Sequence, residues 1–324
     1  MILKEKIYEQ IVSAIRKNKT FFLSGHKKPD ADTVGSELAF ASLLRRLGKS
    51  VDIFNAESVP RSLSFLPGVK SIKTAKKVSK IYDVAVIFEC SDSDRMGNVI
   101  DLNKQARLVI NIDHHLKHSF FGHINMIDVH ASSNSEQLYR LFEKMNCPIL
   151  PEEAASLYSG IMADTGRFQH SNTNSETLRI ASKLVERGAQ VSFLCEKMFG
   201  TKSLSCLKLL AMALSNIRVE QEGKLVYTLV TKEDYRKTNS NDEETEDIVN
   251  YGLQIPTALI SIFFRESRRE GAVKISFRSR KHVNVCKLAE EFNGGGHKYA
   301  SGCEIEGSIQ SVMKKVLSRA RHCL

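Results

Sequence analysis

Residues 21–48 read FFLSGHKKPDADTVGSELAFASLLRRLG, an apolar segment that passes through a polar turn into an amphipathic stretch. The apolar residues 21–23 predict a β-strand. A helix is predicted over about 34–47, ending at Gly48. Its apolar residues recur at helical spacing, at Leu38, Ala41, Leu44 and Leu47. Strands that run into helices are the units of α/β folds, whose sites lie on the turns at the carboxyl ends of the strands.

The turn between this strand and helix carries one imidazole and two carboxylates, from His26, Asp30 and Asp32. Such side chains are ligands for hard or borderline divalent ions such as Mn²⁺ and Mg²⁺. A solvated turn in which Asp32 only caps the helix is the alternative for this segment taken alone.

Three more polar groups stand near the ends of predicted elements. ECSDSDR at 89–95 follows the apolar segment 84–88, DHH at 113–115 follows 108–112, and ADTG occupies 163–166. The carboxyl ends of parallel strands meet at one edge of a sheet, so these groups are expected to converge there. Converging carboxylates repel one another unless cations lie among them. The pattern therefore predicts a metal cluster.

Length and composition fit two globular domains, since the chain has 324 residues and a hydrophobic fraction of 42%. We expect an α/β fold, with a doubly wound, mostly parallel sheet followed across a cleft by a smaller α+β domain. Strands are predicted near 21–24, 51–54, 83–89 and 107–112, and later near 224–231, 258–265 and 273–278. The expected divisions are a metal-binding domain at 1–189, a helical connector at 190–216 and a substrate-binding domain at 217–324.

A cytoplasmic location without membrane attachment is expected, because no apolar stretch approaches the roughly 18 residues of a membrane span. The first residues, MILKEKIYEQ, also lack the apolar core of a signal peptide. The 7 cysteines are odd in number and form no C-x-x-C pair, which argues against a disulfide framework and a zinc site.

The formal charge of +10 is concentrated near the end of the chain, where residues 258–324 contain 13 Lys or Arg and 6 Asp or Glu. A solvated basic face is one interpretation, and a polyanionic substrate is the other. The same region contains NGGGHKYASG at 293–302, whose glycines would let backbone amides approach an anion. Arg278 and Arg280 precede it and favour the anion-binding interpretation over a flexible turn.

Five motifs resemble, in their order along the chain, those of the DHH phosphoesterase superfamily. They are GHKKPDADTVGS at 25–36, the 89–95 segment, DHH, ADTG and GGGHKYASG at 294–302. The resemblance is to the subfamily with a C-terminal DHHA1 domain, and within it to the nanoRNase group. It spans nearly the whole chain.

The resemblance implies two divalent ions, with Mn²⁺ preferred and Mg²⁺ as the alternative. By that resemblance, one ion would be held by His26 and Asp30, the other by Asp32, His114 and Asp164, and Glu89 would bridge them. The family usually places Asp where this chain has Glu89, so Asp92 is an alternative ligand. We expect Asp113 to orient a neighbouring group and His115 to face the scissile phosphate. The implied substrate contacts are Arg95, Arg278, Gly294, Gly295, Gly296 and His297.

The implied activity is hydrolysis of short oligoribonucleotides to nucleoside 5′-monophosphates, and of 3′-phosphoadenosine 5′-phosphate to AMP and phosphate. The expected partners are thus short single-stranded RNA, dinucleotides and nucleoside bisphosphates, and a homodimer is left open. A phosphodiesterase for linear or cyclic dinucleotides, or an exopolyphosphatase-like enzyme, is the nearest alternative. A nucleotide- or RNA-binding protein with an inactive site is the alternative from another class. A family II pyrophosphatase is disfavoured, because the second domain carries GGGH instead of the basic motif of those enzymes.

Overall fold

The chain forms two compact units, Met1–Thr201 (unit 1) and Lys202–Leu324 (unit 2). The computed structural model describes residues 2–116, 118–245, 247–267 and 269–324. The boundary between the units falls inside the predicted helical connector. Among the described residues, no helix is both long and apolar enough to span a membrane.

Unit 1 is built on six parallel strands in the order β3-β2-β1-β4-β5-β6. The strands are β1 Thr20–Ser24, β2 Ser50–Asn55, β3 Ile72–Thr74, β4 Tyr82–Phe88, β5 Ala106–Asp113 and β6 Ile124–Ile127. Successive residues of the central strands pack into cores on opposite sides of the sheet, because neighbouring side chains of a strand point to opposite faces. Phe21 and Leu23 belong to the core on one face, and Phe22 to the core on the other. The sheet is therefore covered on both sides, as in a doubly wound fold.

Helix α1 precedes the first strand of unit 1, and the other helices lie between or after the strands. They are α1 Ile2–Lys17, α2 Ala31–Arg46, α3 Leu102–Gln105, α4 Asn134–Lys144, α5 Pro151–Asp164, α6 Ser175–Glu186 and α7 Val191–Cys195, followed by a π-helical turn at Glu196–Gly200. Helices α2 and α5 cross closely at two glycines. A Cβ atom at Gly35 would lie 2.4 Å from the carbonyl oxygen of Ser156 on α5, and one at Gly160 would lie 2.6 Å from Asp32 Oδ1 on α2. The crossing thus requires glycine at both positions.

Unit 2 contains a mixed six-stranded sheet in the order β11-β12-β10-β9-β8-β7. Its strands are β7 Arg218–Glu220, β8 Leu225–Val230, β9 Ile260–Glu266, β10 Ala272–Ser279, β11 Gly295–His297 and β12 Ala300–Glu306. Strands β8 and β9 are parallel, and the other pairs are antiparallel. The helices are α8 Leu204–Ser215, α9 Lys232–Thr238, α10 Ile248–Gly252, α11 Val285–Glu290 and α12 Ile309–Arg321.

The predicted fold class, a doubly wound parallel sheet followed by a smaller α+β unit, is confirmed. One local prediction is wrong. Helix α2 begins at Ala31, so Asp32 lies in its first turn and not on the turn before it. In the glycine-rich segment, where no strand was predicted, Gly295–His297 forms a strand paired with β12.

Candidate metal centre

Three neighbouring strands of unit 1 bring polar side chains to the same edge of the sheet. His26 follows β1, Glu89 follows β4 and His114 follows β5, and these strands are adjacent in the sheet. The order of the strands therefore gathers residues that are far apart in the sequence. The start of α2 adds Asp30 and Asp32, and the end of α5 adds Asp164.

The first ligand group consists of His26, Asp30 and Glu89, whose ligand atoms all lie within 4.8 Å of one another. His26 Nε2 is 3.4 Å from Asp30 Oδ2 and 3.6 Å from Glu89 Oε2. One imidazole nitrogen and two carboxylate oxygens thus face a common point.

The second ligand group consists of Asp32, Glu89, His114 and Asp164, again with all ligand atoms within 4.8 Å. His114 Nε2 is 3.3 Å from Glu89 Oε1 and 3.1 Å from Asp164 Oδ2. Glu89 belongs to both groups and presents a different oxygen to each histidine. Six of the predicted site residues therefore form two groups joined by one carboxylate.

Glu89 is held in an uncommon backbone conformation, with φ at 55°. Left-handed backbone is unusual for a residue other than glycine, and it marks positions that the surrounding structure must enforce. The amide of Glu89 donates to the carbonyl oxygen of Ile112 at 3.0 Å, and the hydroxyl of Thr33 donates to its Oε2. Asp92, the alternative ligand, instead caps a 3₁₀ turn by accepting from the amides of Asp94 and Arg95.

Backbone amides fix the two aspartates of α2. Asp30 is the N-cap of the helix, and its Oδ1 accepts from the amides of Asp32 and Thr33, each at 3.0 Å. The capping role considered for Asp32 thus belongs to Asp30. Asp32 is fully buried and accepts from the amides of Asn134 at 2.6 Å and Ser135 at 2.9 Å. These donors compensate part of the cost of burying a carboxylate.

Carboxylate partners raise the pKa of both histidines. Burial lowers the pKa of His26, but hydrogen bonds with Asp30 and Glu89 outweigh it and raise the pKa to about 10. The same balance, with Asp164 and Glu89 as partners, raises the pKa of His114 well above its usual value. The side chains of the cluster therefore attract positive charge.

The pKa values of the carboxyl groups depend on burial and on the charges of their partners. Burial and the charge of Glu89 raise the pKa of Asp32 well above its usual value, and burial raises that of Asp164 to about 6. Burial would also raise the pKa of Glu89, but bonds with His114 and His26 hold it well below the usual range. Four carboxyl groups and two imidazoles are the ligand types that divalent ions of this class take. The donor set thus fits metal ions.

Asp113 and His115 form a tight pair beside the second group. Asp113 is fully buried, and its Oδ1 lies 2.6 Å from His115 Nδ1. The same oxygen accepts from the amides of His114 at 2.9 Å and His115 at 3.3 Å. A ring nitrogen of His115 also lies within 4.8 Å of ligand atoms of Glu89 and His114. The pairing through Nδ1 leaves Nε2 of His115 as its other polar atom.

A groove of about 390 Å³ in unit 1 adjoins His26. The other residues that line it are Lys27, Lys28, Glu57, Asp92, Asp94 and Arg95. The amide of Lys27 donates to the carbonyl oxygen of Arg95 at 2.8 Å, so the two segments are joined. Arg95, a predicted substrate contact, thus borders the first ligand group.

The remaining predicted substrate contacts belong to unit 2. Arg278 lies on β10, and its Nη1 donates to the carbonyl oxygen of Phe277 at 3.0 Å. A Cβ atom at Gly294 or Gly296 would lie within 2.6 Å of a backbone carbonyl oxygen, whereas Gly295 has open space beside it. The side chain of His297 lies outside the described part of the structure.

Two family models match the chain. The model of the DHH family, N-terminal domain, matches residues 20–161, and the model of the DHHA1 domain matches residues 222–324. This chain contains a DHH-family N-terminal domain followed by a DHHA1 domain. The residues of the candidate metal centre fall within the DHH match except for Asp164, which follows its end by three residues, and the glycine-rich strand lies in the DHHA1 match.

Relatives resemble the chain along nearly its whole length. A Thermus thermophilus protein named bifunctional oligoribonuclease and PAP phosphatase NrnA is 28% identical, over 98% of this chain and 94% of its own. A Bacillus subtilis protein of the same name is 27% identical, over 91% and 92%. The crystal structure of an exopolyphosphatase-related protein from Bacteroides fragilis has 28% identity and a TM-score of 0.89, and covers 97% of this chain and 96% of its own.

Unit 1 also contains residues that support the candidate metal centre and that the sequence did not indicate. Glu37 is fully buried on α2, and its Oε2 accepts from Asn55 Nδ2 at 3.0 Å. Asn55 Oδ1 in turn accepts from the amide of Gly25 at 3.3 Å, next to His26. The sequence signal for Glu37 was its own position, since it is a charged residue amid the apolar face of a predicted helix. Nothing in the sequence indicated Asn55 or the amides of Asn134 and Ser135, because their roles depend on tertiary contacts.

Proposed function

We propose that this protein is a two-metal phosphoesterase. Its substrates would be short oligoribonucleotides, cleaved to nucleoside 5′-monophosphates, and 3′-phosphoadenosine 5′-phosphate, cleaved to AMP and phosphate. The observation that carries the proposal is that Glu89 belongs to both ligand groups, which suits a site for two neighbouring ions. The names of the Thermus and Bacillus relatives support the substrate class.

The first ion would be held by His26, Asp30 and Glu89, and the second by Asp32, Glu89, His114 and Asp164. When bound, two divalent ions offset charge on phosphoryl oxygens and make a water molecule more acidic. Mn²⁺ is the first candidate and Mg²⁺ the second, as the resemblance to the DHH superfamily implies, and both ions accept carboxylate ligands.

His115 is proposed to contact the scissile phosphate through Nε2. The buried carboxylate of Asp113 holds the ring by its Nδ1 atom at 2.6 Å, which fixes its orientation. A histidine held in this way presents its ring in one orientation to the phosphoryl group that it would contact. Asp113 acts through His115 and is thus a positioning residue.

Positive side chains are proposed to bind the parts of the substrate that are not cleaved. Lys27, Lys28 and Arg95 line the groove beside His26 and would contact a flanking phosphate. Arg278 and the glycine-rich segment 294–297 would supply further substrate contacts from unit 2. The basic composition of residues 258–324 supports a polyanionic substrate.

The test is a time course of product release. The panel would contain oligoribonucleotides of two to five residues, matched oligodeoxyribonucleotides and 3′-phosphoadenosine 5′-phosphate, each with Mn²⁺ and with Mg²⁺. We expect mononucleotide release from the short RNAs and phosphate release from the bisphosphate, with Mn²⁺ more effective. Asp164→Asn is the matched inactive control, because it keeps the side-chain volume and removes a charged ligand.

Inorganic polyphosphate belongs in the same panel, because the Bacteroides structure of 28% identity is described as exopolyphosphatase-related. Linear and cyclic dinucleotides test the phosphodiesterase alternative. Turnover of polyphosphate alone would replace the proposed substrate class. Tight nucleotide binding with no turnover of any substrate would instead favour a binding protein. Sedimentation of the same sample tests whether the chain forms the homodimer that the sequence left open, and the cytoplasmic location stays a prediction.

A further inference from the structure

The loop that follows the DHH motif exposes two large apolar side chains. Leu116 is 76% exposed and Phe120 is 60% exposed. Single exposed apolar side chains are common on protein surfaces, so the way in which the ring is held decides whether it is informative.

Phe120 is held in place even though its ring is exposed. Its backbone has φ at 50°, a left-handed conformation that is strained for a bulky residue. Strain of this kind persists only where surrounding contacts enforce it, and it clusters at functional sites. The ring of His118 packs edge-on against the Phe120 ring, with 4.4 Å between centroids. The ring is thus a preformed surface.

The same loop is tied to the candidate metal centre at two points. His118 Nδ1 lies 3.3 Å from the carbonyl oxygen of His115, and the amide of Ser119 donates to the carbonyl oxygen of Ser91 at 2.7 Å. Ser91 follows Glu89 by two residues and precedes the groove residues Asp92 and Arg95. The segment that carries Phe120 is therefore anchored, through His118 and Ser119, to the segments that follow β5 and β4.

We propose that Phe120 is a stacking platform for a nucleobase of the substrate. This inference rests on the proposed function and adds a determinant of substrate class within unit 1. Bases stack on exposed aromatic rings with little dependence on their identity. Inorganic polyphosphate has no base and gains nothing from such a ring. Phe120 thereby favours nucleotides over polyphosphates of similar charge.

The test compares a diadenosine ribonucleotide with its analogue in which both bases are replaced by hydrogen. Phe120→Ala is expected to lower kcat/KM for the dinucleotide by about 10-fold, mainly through KM, and to leave the abasic analogue unchanged. Phe120→Tyr should keep wild-type activity because it retains the ring. Leu116→Ala is the matched control for the loop, and wild-type activity is expected on both substrates.

A second variant separates stacking from support of the fold. Phe120→Gly removes the ring and also relieves the left-handed strain, so the melting temperature of this variant should not fall. Its loss of kcat/KM on the dinucleotide should match that of Phe120→Ala. Equal losses on the dinucleotide and the abasic analogue would overturn the inference, as would full activity of Phe120→Gly. If the wild-type protein cleaves neither substrate, the proposed function itself fails.

Discussion

At the residue scale, the candidate centre depends on one side chain that serves two ligand groups. Sequence reasoning had to choose between Glu89 and Asp92, because each follows the same strand within four residues. The structure distinguishes them by location, since Glu89 lies among the ligand atoms and Asp92 caps a 3₁₀ turn. The side chains of the cluster were accessible to prediction because they stand at strand and helix ends. Their ligand roles stay predictions until metal binding is measured.

We expect Glu89→Asp to keep measurable activity and Glu89→Ala to lose at least 100-fold in kcat, on the order of 3 kcal/mol of barrier. A shorter carboxylate can still reach both groups after small shifts, whereas alanine leaves the two histidines without their shared partner. The measurement is kcat together with bound Mn²⁺ per chain. Asp92→Ala is the matched control and should retain activity. An inactive Asp92→Ala beside an active Glu89→Ala would transfer the bridging role to Asp92.

Glu37 gives a prediction about pH and stability. Burial raises its pKa to about 8 in the folded protein, against 4.5 for an ordinary glutamate. Between pH 4.5 and pH 8, Glu37 keeps a proton in the folded protein that it has lost in the unfolded chain. The free energy of unfolding of the wild-type protein therefore falls as the pH rises through this range. Glu37→Gln cannot ionise. The free energy of unfolding of this variant, relative to wild type, should therefore rise by a few kcal/mol from pH 4.5 to 8.

The measurement for Glu37 is thermal unfolding of both proteins at several pH values with EDTA present, so that no metal contributes. Only the difference between the two proteins matters, because other groups titrate in both. A difference that stays constant with pH would mean that Glu37 is ionised in the fold.

At the element scale, the long apolar segments could be predicted from the sequence, whereas the short strands at the sheet edges could not. The central strands β1, β4 and β5 and helices α4 and α5 carry their own periodic signals. Strands β3 and β6 have three and four residues and lie at the sheet edges, where pairing with a neighbour decides their conformation. Helix α1 was not predicted, although α2 was, with a start three residues too late. The early start of α2 reflects Asp30, whose cap is visible only in the fold.

The crossing of α2 and α5 predicts an unusual effect of a helix-favouring substitution. Alanine normally stabilises a helix interior by about 1 kcal/mol relative to glycine. At Gly160 the new methyl group would lie 2.1 Å from Ser135 Oγ and 2.6 Å from Asp32 Oδ1. Gly160→Ala should therefore destabilise the protein by about 1–3 kcal/mol and weaken Mn²⁺ binding, because Asp32 must shift.

Unfolding curves and Mn²⁺ titrations check this expectation. Gly200→Ala is a suitable control, because the nearest atom to its added methyl group would be 3.6 Å away. A Gly160→Ala protein with unchanged Mn²⁺ affinity would show that Asp32 either does not move or is not a ligand.

At the scale of the whole molecule, the ligand atoms of both groups belong to unit 1. A ligand that binds only the folded form stabilises the unit that holds it. We expect calorimetry to show two unfolding transitions, and Mn²⁺ to raise the temperature of one of them. Asp164→Asn should abolish that shift. The other transition can be identified with Phe277→Leu, which alters the buried core of unit 2.

Shifts of equal size in both transitions would contradict this assignment of the metal ligands. A single transition that responds to both substitutions would show that the two units unfold together. The measurement therefore also tests whether the units are energetically separate.

The location of the ligands before residue 165 has a consequence for synthesis on the ribosome. Domains of a growing chain fold as units, beginning with the N-terminal one. Unit 1 is complete at Thr201, so its cluster can capture ions before the glycine-rich strand of unit 2 has been translated. A nascent chain made during metal starvation would instead carry the cluster without its ions while the second half is being added. Metal supply is then expected to influence the yield of folded protein as well as its activity.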